Sequence, residues 1–457
     1  MALPSSPIDA AARLAGRRGR VVLHSARDDD GLGQASFVTA EPTAVLIGNG
    51  RSLVRLDERG RPVQRFTGDP FEAAERFLAE HGCVRQPRGG GLPEPRVIGY
   101  LGYDLARVID SRAVARSAGT AIESRAPDLW LGAYGAVARF GDARFDAPGV
   151  AEWQRGVVDI VGPDAAARAR LARALDQPAR PALPPSFGDF VADDDGAHHM
   201  ARVERIRDYL AAGDVYQVNL ARRMVARIAA PGDLLALYAA LAEVAPAPYG
   251  ALIEADGVAL VSGSPERFLA SVGDRIETRP IKGTSPPGEA RALAASPKDA
   301  AEHLMIVDLE RNDLGRIAET GSVTVDQLGY VVELPALCHL VSRVSAVPTA
   351  DTGYAALLRA TFPGGSITGA PKLRAMQVID ELEPARRGPY CGAFGYFGAD
   401  GAFDLAIAIR IGVVARDELA VHVGGGIVAD SNAAAELAET ELKARGWVAA
   451  LDRLRQA

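Results

Sequence analysis

The sequence predicts an α+β fold. Strand-like runs fall next to one another as hairpin partners, and helical runs stand between such groups instead of alternating one for one as in a doubly wound sheet. No internal repeat of fixed period and no long low-complexity tract interrupts them. In order, residues 21–25 and 44–47 read as short strands and 71–81 as a helix, and the Gly, Pro and Arg of 85–95 mark a surface loop. An Ala/Arg-rich helix is expected at 165–175. The Pro-rich stretch 177–185 and the run Asp193-Asp194-Asp195 mark the main boundary, dividing a region 1–190 from a region 191–457. Beyond it, 199–212 reads as a helix with Val203, Ile206 and Leu210 on one stripe, stopped by Gly213. Strand-like runs follow at 251–254, 258–262, 267–271, 396–397, 403–411 and 420–423. Helical runs are expected at 234–244, 299–308, 354–361, 373–382 and 433–451.

Composition narrows the function. The chain has 457 residues, 48% of them hydrophobic, which exceeds one typical domain and supports a large core. Its formal charge is −7 with no basic block, which disfavours a nucleic-acid partner. The cysteines, Cys83, Cys338 and Cys391, are scattered and odd in number, so they suggest neither a disulfide framework nor a zinc knuckle. No h-region follows the N-terminal arginines, and no uncharged apolar run nears the roughly 20 residues of a membrane span. A soluble cytoplasmic protein with no membrane partner is expected.

Lys282, in Arg279-Pro280-Ile281-Lys282-Gly283-Thr284, follows Glu266 of Ser264-Pro265-Glu266-Arg267-Phe268 by sixteen residues. The stretch between them reads as a hairpin turning at Gly273-Asp274. A three-residue loop centred on Asp274 sets Val272 opposite Ile276 and Glu266 opposite Lys282, on one face. A two-residue loop slips the pairing and separates them. The three-residue register matches apolar with apolar and is the one expected. The pair is then a candidate amine nucleophile beside a candidate acid. The alternative is an ordinary surface ion pair worth ~0–1 kcal/mol.

Four acids form two pairs at helical i,i+3 spacing: Asp299 with Glu302, and Glu436 with Glu439. Either pair alone suits a solvated helix, but two such faces brought together would make an all-oxygen site suited to Mg²⁺. Phe362-Pro363-Gly364-Gly365-Ser366-Ile367-Thr368-Gly369-Ala370-Pro371-Lys372 is a glycine-rich loop entering a helix, with Pro371 suited to the first helical position. Such loops can turn N–H groups toward an anion, although the P-loop ending is absent. Gly424, Gly425 and Gly426 permit close backbone approach after a strand. Arg410, in an apolar strand, needs either a ligand carboxylate or a buried protein acid. His339 alone carries no role.

Together these segments resemble the chorismate-utilising enzymes. The resemblance runs through Gly213-Asp214-Val215-Tyr216-Gln217-Val218-Asn219-Leu220, Ser264-Pro265-Glu266, Pro280-Ile281-Lys282-Gly283-Thr284, Ala301-Glu302-His303-Leu304-Met305-Ile306-Val307-Asp308-Leu309-Glu310-Arg311-Asn312-Asp313, the 362–372 loop, Cys391-Gly392-Ala393-Phe394-Gly395-Tyr396, and 424–431 leading into Glu436-Leu437-Ala438-Glu439-Thr440. It covers nearly everything from about Arg202 onward, and more loosely Leu23-His24-Ser25 and 99–104. It implies two large antiparallel sheets packed face to face with helices outside, an αββα sandwich. Lys282 looks like the aminodeoxychorismate synthase component I branch, where the anthranilate synthase branch usually carries alanine. Gln217 stands where isochorismate and salicylate synthases place a water-activating lysine, so hydrolysis is disfavoured.

By resemblance, Lys282 is the nucleophile, Glu266 the general acid and His339 a positioning residue. Thr368, Tyr390, Arg410, Gly424, Gly425, Gly426 and Lys443 would contact chorismate. Glu302, Glu439, Asp299 and Glu436 would hold Mg²⁺. Ammonia would come from a separate glutamine amidotransferase subunit. Ser25, Pro248, Tyr249 and Gly250 match a tryptophan pocket in region 1–190 and its surroundings. The Asp-containing stretch after Ser25 departs from that pattern and leaves open whether tryptophan regulates, serves structure or does not bind. Anthranilate synthase component I is the alternative enzyme, and a non-catalytic ligand-binding paralogue the alternative outside catalysis.

Overall fold

The computed structural model describes residues 4–26, 31–33, 35–88, 91–113, 122–141, 159–285, 288–333 and 338–456. Asp28, Asp29 and Asp30, which set the sequence after Ser25 apart, lie outside the described residues. Among the described residues two twelve-stranded sheets, antiparallel in every strand pairing, form the body. They face each other, as the Phe37 ring from one sits 5.0 Å from the Tyr396 ring of the other. The expected α+β sandwich is the observed fold.

Each sheet draws on both ends of the chain. In the first, the strand Val21–His24 pairs with Tyr249–Ala255, so N-terminal strands extend the ladder built from 217–230, 249–264 and 411–427. In the second, Pro95–Leu101 pairs with Ala393–Gly398. The position 190/191 is thus a break in composition that neither sheet observes. One large core lies between the sheets and continues around the second to the helices Pro70–Glu80 and Tyr354–Thr361. A second core joins the outer face of the first sheet to the helices Pro7–Arg13, Ala165–Leu175, Leu234–Val244 and Ala433–Gln456. Local signals explain these helices: Asp164 and Asp233 cap two of them by accepting from Ala166 N–H and Leu235 N–H. No helix among the described residues is long and apolar enough to cross a membrane. Cys83, Cys338 and Cys391 are buried and free.

The expected strand 403–411 is two strands. Phe403–Ile407 belongs to the second sheet and Ile411–Ala415 to the first, and the chain crosses between them through Ala408, Ile409 and Arg410. Arg410 takes φ +48 at that step. An unbroken apolar run cannot reveal such a crossing, because both ends of it are equally buried. The adjacent crossing, from Val258–Ser264 to Arg267–Val272, uses Ser264-Pro265-Glu266. Pro265 has no N–H to leave unpaired where the ladder stops. The two crossings run side by side: Ser264 Oγ donates to Ile407 O at 2.6 Å and Ile407 N–H to Glu266 O at 3.0 Å.

Candidate active site

Glu266 and Arg410 therefore sit at paired seams between the sheets. Lys282 reaches the same place by a route that differs from the expected one. The hairpin turns through a two-residue loop, with Val272 opposite Arg275 and Ser271 opposite Ile276. That loop alone would separate Glu266 from Lys282. A bulge between Arg267 and Ala270 adds one residue on the first strand, so Arg267 pairs with Arg279 and the parity is restored. The expected register is wrong and its consequence, the two side chains on one face, holds. Glu266 is 4% exposed, and its Oε1 accepts from Ile281 N–H at 3.3 Å. Lys282 Nζ donates to Ser366 O at 2.9 Å. Among the described residues the two form no ion pair within 4.0 Å, so the surface ion-pair alternative fails.

The remaining groups gather around them. The strand Ile281–Ser285 bulges at Gly283, whose φ of +75 an L side chain would resist. A β-carbon there would lie 3.1 Å from Asp299 Oδ1. A β-carbon at Gly425 would lie 3.1 Å from Glu439 Oε1 and 3.5 Å from Glu436 Oε2. Lys443 Nζ bridges Glu439 Oε1 at 2.6 Å and Gly424 O at 2.8 Å. Gly424, Gly425 and Gly426 lie inside the strand Glu418–Ile427 and not after one. All four expected acids border the site, on the helices Pro297–Gly315 and Ala433–Gln456. Among the described residues no three His, Cys, Asp or Glu side chains form a ready-made metal cage. The all-carboxylate donor set still fits a hard divalent cation, which would compete with Lys443 for Glu439.

The glycine-rich loop works differently from expectation. Its Ser366 presents a carbonyl to Lys282. The Thr368 hydroxyl turns into the loop and donates to Gly364 O at 3.0 Å. Pro371 caps the helix Lys372–Leu382 from just outside its first turn. Tyr390 is 4% exposed and stacks on His422 with ring centroids 5.2 Å apart, a contact that sequence reasoning did not anticipate.

Burial sets the electrostatics. Desolvation holds the Lys282 ammonium below its ordinary value, aided by Lys443, while Glu266, Glu302 and Glu439 oppose it. Desolvation holds Glu266 above the usual carboxylate range against Ser366, Lys282, the Ile281 amide and Arg410. His339 is pushed down to about 4, first by burial and then by Arg410 and Lys443, so it is neutral. Arg410 is lowered by desolvation against the pull of Glu266 and has no ion-pair partner among the described residues. Glu266 is the buried acid that pulls on it, so both alternatives raised for it, a ligand carboxylate and a buried protein acid, stay open. Glu310, unnoticed in the sequence, is 7% exposed on the Pro297–Gly315 helix, and its carboxyl is pushed up to about 8 by burial. Thr278 Oγ1 donates to it at 2.7 Å.

A second cavity lies behind the Glu266 seam. Ser25, Pro248, Tyr249 and Gly250 all line it, with Arg267 and Asp404. Arg267 Nη2 donates to Asp404 Oδ2 at 2.8 Å and its Nε to Tyr249 Oη at 2.9 Å. The Ser25 hydroxyl is committed to Ala35 O at 2.9 Å.

The chain can now be compared with known proteins. The pattern for chorismate binding enzyme matches residues 37–448. Aminodeoxychorismate synthase component 1 of Klebsiella aerogenes is 39% identical over 92% of this chain and 91% of its own length. An anthranilate synthase component 1 of Haloarcula marismortui is 39% identical over 86% of this chain and 83% of its own. Among solved structures, anthranilate synthase component I from Streptococcus pneumoniae superposes with a TM-score of 0.74 at 29% identity, covering 91% of this chain and 92% of that one. The menaquinone-specific isochorismate synthase of Escherichia coli shares the fold, with a TM-score of 0.69 at 18% identity over 99% and 96% of the two chains. The chain belongs to the chorismate binding enzyme family.

Proposed function

We propose that this chain is component I of an aminodeoxychorismate synthase, converting chorismate and ammonia to 4-amino-4-deoxychorismate on the route to 4-aminobenzoate and folate. The observation that carries the reading is the Lys282–Glu266 pair: an amine displaced toward its neutral form faces an acid displaced toward its protonated form, both by desolvation. The relatives' names support it at moderate identity. In the first half-reaction Lys282 Nζ bonds to C2 of chorismate as the C4–O bond breaks, and the Glu266 proton leaves with that oxygen as water. In the second, ammonia bonds to C4 and the C2–Nζ bond breaks, returning its electron pair to Lys282. The proton shed by the new amine restores Glu266.

Arg410, Tyr390, Lys443 and the glycine backbone at 424–426 would receive the two carboxylates of chorismate, and neutral His339 would position the ring. Thr368 would act through the shape of its loop, since its hydroxyl is already bonded. Mg²⁺ held by Glu302 and Glu439, with Asp299 and Glu436, would neutralise substrate charge in this acidic surrounding. A separate glutamine amidotransferase subunit would deliver the ammonia, and the cytoplasm is the compartment proposed for both. Anthranilate synthase remains the second reading, because anthranilate synthase relatives reach the same identity.

Chorismate, ammonium chloride and Mg²⁺ test the assignment directly. Aminodeoxychorismate without pyruvate is expected; pyruvate release would transfer the chain to the second reading. Intact mass should show a chorismate-derived adduct in the parent protein and none in Lys282→Ala. An adduct that persists in Lys282→Ala sinks the role of that lysine.

A further inference from the structure

His422 has no part in the scheme so far. It lies on the strand Glu418–Ile427, two residues before Gly424. Leu419, Val421 and Val423 pack into the outer core, and side chains alternate along a strand, so His422 faces inward between the sheets. It is 7% exposed there, and its stack on Tyr390 is close to parallel, with the ring planes 13° apart. The ring is neutral. Burial pushes it down to about 3, helped by Arg223 and Arg387 and opposed by a hydrogen bond to the Arg386 backbone. Its Nε2 is enclosed with no hydrogen-bond partner among the described residues, so a second ring proton would find no acceptor. The contact is therefore ring on ring and not a cation over a ring.

Tyr390 stands where two parts of the site meet. Cys391 N–H donates to Ala408 O at 2.8 Å and Ala408 N–H to Gly392 O at 2.9 Å, which ties the turn carrying Tyr390 to the crossing carrying Arg410. Cys391 takes φ +62 in that turn, a conformation an L side chain resists, so packing around the turn has to hold it. Arg387 also lies near the phenol, 5.7 Å from its centroid, but its guanidinium is committed to Glu383, Asn219 O and Ile367 O. Among the described residues His422 is the one ring stacked on Tyr390.

We propose that His422 is a positioning residue for chorismate: its ring fixes the plane of Tyr390, so that the phenol hydroxyl meets a substrate carboxylate beside Arg410. The inference rests on the reading of Tyr390 as a substrate contact. A residue that only holds a binding group in place changes the affinity for substrate and leaves the later steps alone. A ring stack changes affinity by about threefold to tenfold, which is less than the full worth of a hydroxyl bonded to a carboxylate.

The test follows loss of chorismate with ammonium chloride and Mg²⁺, whichever product forms. His422→Leu keeps the buried volume and removes the flat ring. His422→Phe keeps the flat ring and removes the hydrogen bond to Arg386. His422→Leu should raise the KM for chorismate about threefold to tenfold with kcat within about twofold. His422→Phe should stay within about twofold of the parent in both. In a Tyr390→Phe background, where the hydroxyl is gone, His422→Leu should add less than about twofold. An unchanged KM in His422→Leu overturns the proposal. Equal losses in His422→Leu and His422→Phe overturn it as well, because the hydrogen bond and not the ring then matters. The same factor with and without the Tyr390 hydroxyl also overturns it, since His422 then acts elsewhere in the core. If Tyr390→Phe alone leaves the KM unchanged, the failure is that of Tyr390 as a substrate contact, and it removes this proposal with it.

Discussion

Glu266 and Arg267 are consecutive residues that look into different places. Glu266 faces Lys282 and Arg410 at the seam, and its carboxylate accepts a long amide contact from Ile281 at 3.3 Å. Arg267 faces the rear cavity and the hairpin, and its guanidinium is held at 2.6 Å by Glu277, at 2.8 Å by Asp404 and at 2.9 Å by Tyr249. Arg279, three residues before Lys282, shares Glu277 at 2.6 Å. On one side of the strand, charges are paired completely and fix geometry. On the other, burial without full pairing moves titrations toward the reactive forms. The complete network is what allows the incomplete one to be held in place, because Arg267 and Arg279 anchor both arms of the hairpin that carries the acid and the amine.

The largest expected effect comes from the seam. Glu266→Gln keeps size and removes the proton donor, so amine formation should fall by about 10²–10⁴-fold while the thermal midpoint stays level or rises. Retained turnover would show that another group protonates the leaving oxygen. The next comes from the network. Arg267→Met leaves Asp404 without its guanidinium and Glu277 with Arg279 alone of the two arginines that meet it at 2.6 Å, and breaking such a buried cluster costs about 3–5 kcal/mol. Urea unfolding measures it. A loss under about 1 kcal/mol would mean that the network does not anchor the hairpin.

These two sides were unequally legible in the sequence. The helices Ala165–Leu175 and Leu234–Val244, capped by Asp164 and Asp233, and the helix Tyr354–Thr361 fall where the sequence puts them. The site residues were found by motif, and their joint burial could not be. The bulge that returns Glu266 to the Lys282 face leaves no local signal, since either loop length satisfies the same turn residues. The strand Gln217–Ala230 was missed because Arg222 and Arg223 break its apolar pattern. Their partners are far in sequence: Asp194 accepts from Arg222 at 3.2 Å, and Asp193 and Glu418 from Arg223 at 2.6 and 2.5 Å. The acidic run at 193–195, read as a boundary, is in part the counter-charge of that strand. Glu310 lay within the resembling segment 301–313 but carried no role of its own, because a lone acid in a helix reads as solvated until its neighbours are known.

Glu310 sharpens the comparison at intermediate size. Its carboxyl is raised from 4.5 to about 8, first by desolvation, with Thr278 opposing and Glu266 and Asp313 adding to the rise. An acid with a raised folded pKa costs nothing below the unfolded value. Its ionisation then erodes stability as pH climbs from about 4.5 to about 8, and the cost is constant above that. Glu310→Gln should match the parent near pH 4.5 and exceed it by a few kcal/mol, about 2–4, at pH 8 and above. Urea midpoints across that range test it. Parallel curves would mean that Glu310 is ionised and solvated in the folded protein.

The smallest effect is expected at the rear cavity, where the four residues matched to a tryptophan pocket do converge. We expect tryptophan to bind there, its ring beside the Phe37–Tyr396 pair and its ammonium toward the Asp404 side. Calorimetry should give one site per chain. Ligand at about 100 times its Kd should add about 2.7 kcal/mol to unfolding, seen as a rise of a few degrees in Tm. Since Arg267 is already saturated with partners, bound tryptophan should change the amination rate by less than about fivefold, the low end of measured coupling energies. Absence of heat and of any Tm shift would make the cavity structural. A strong inhibition would mean that the Arg267 network transmits occupancy to Glu266 instead of insulating it.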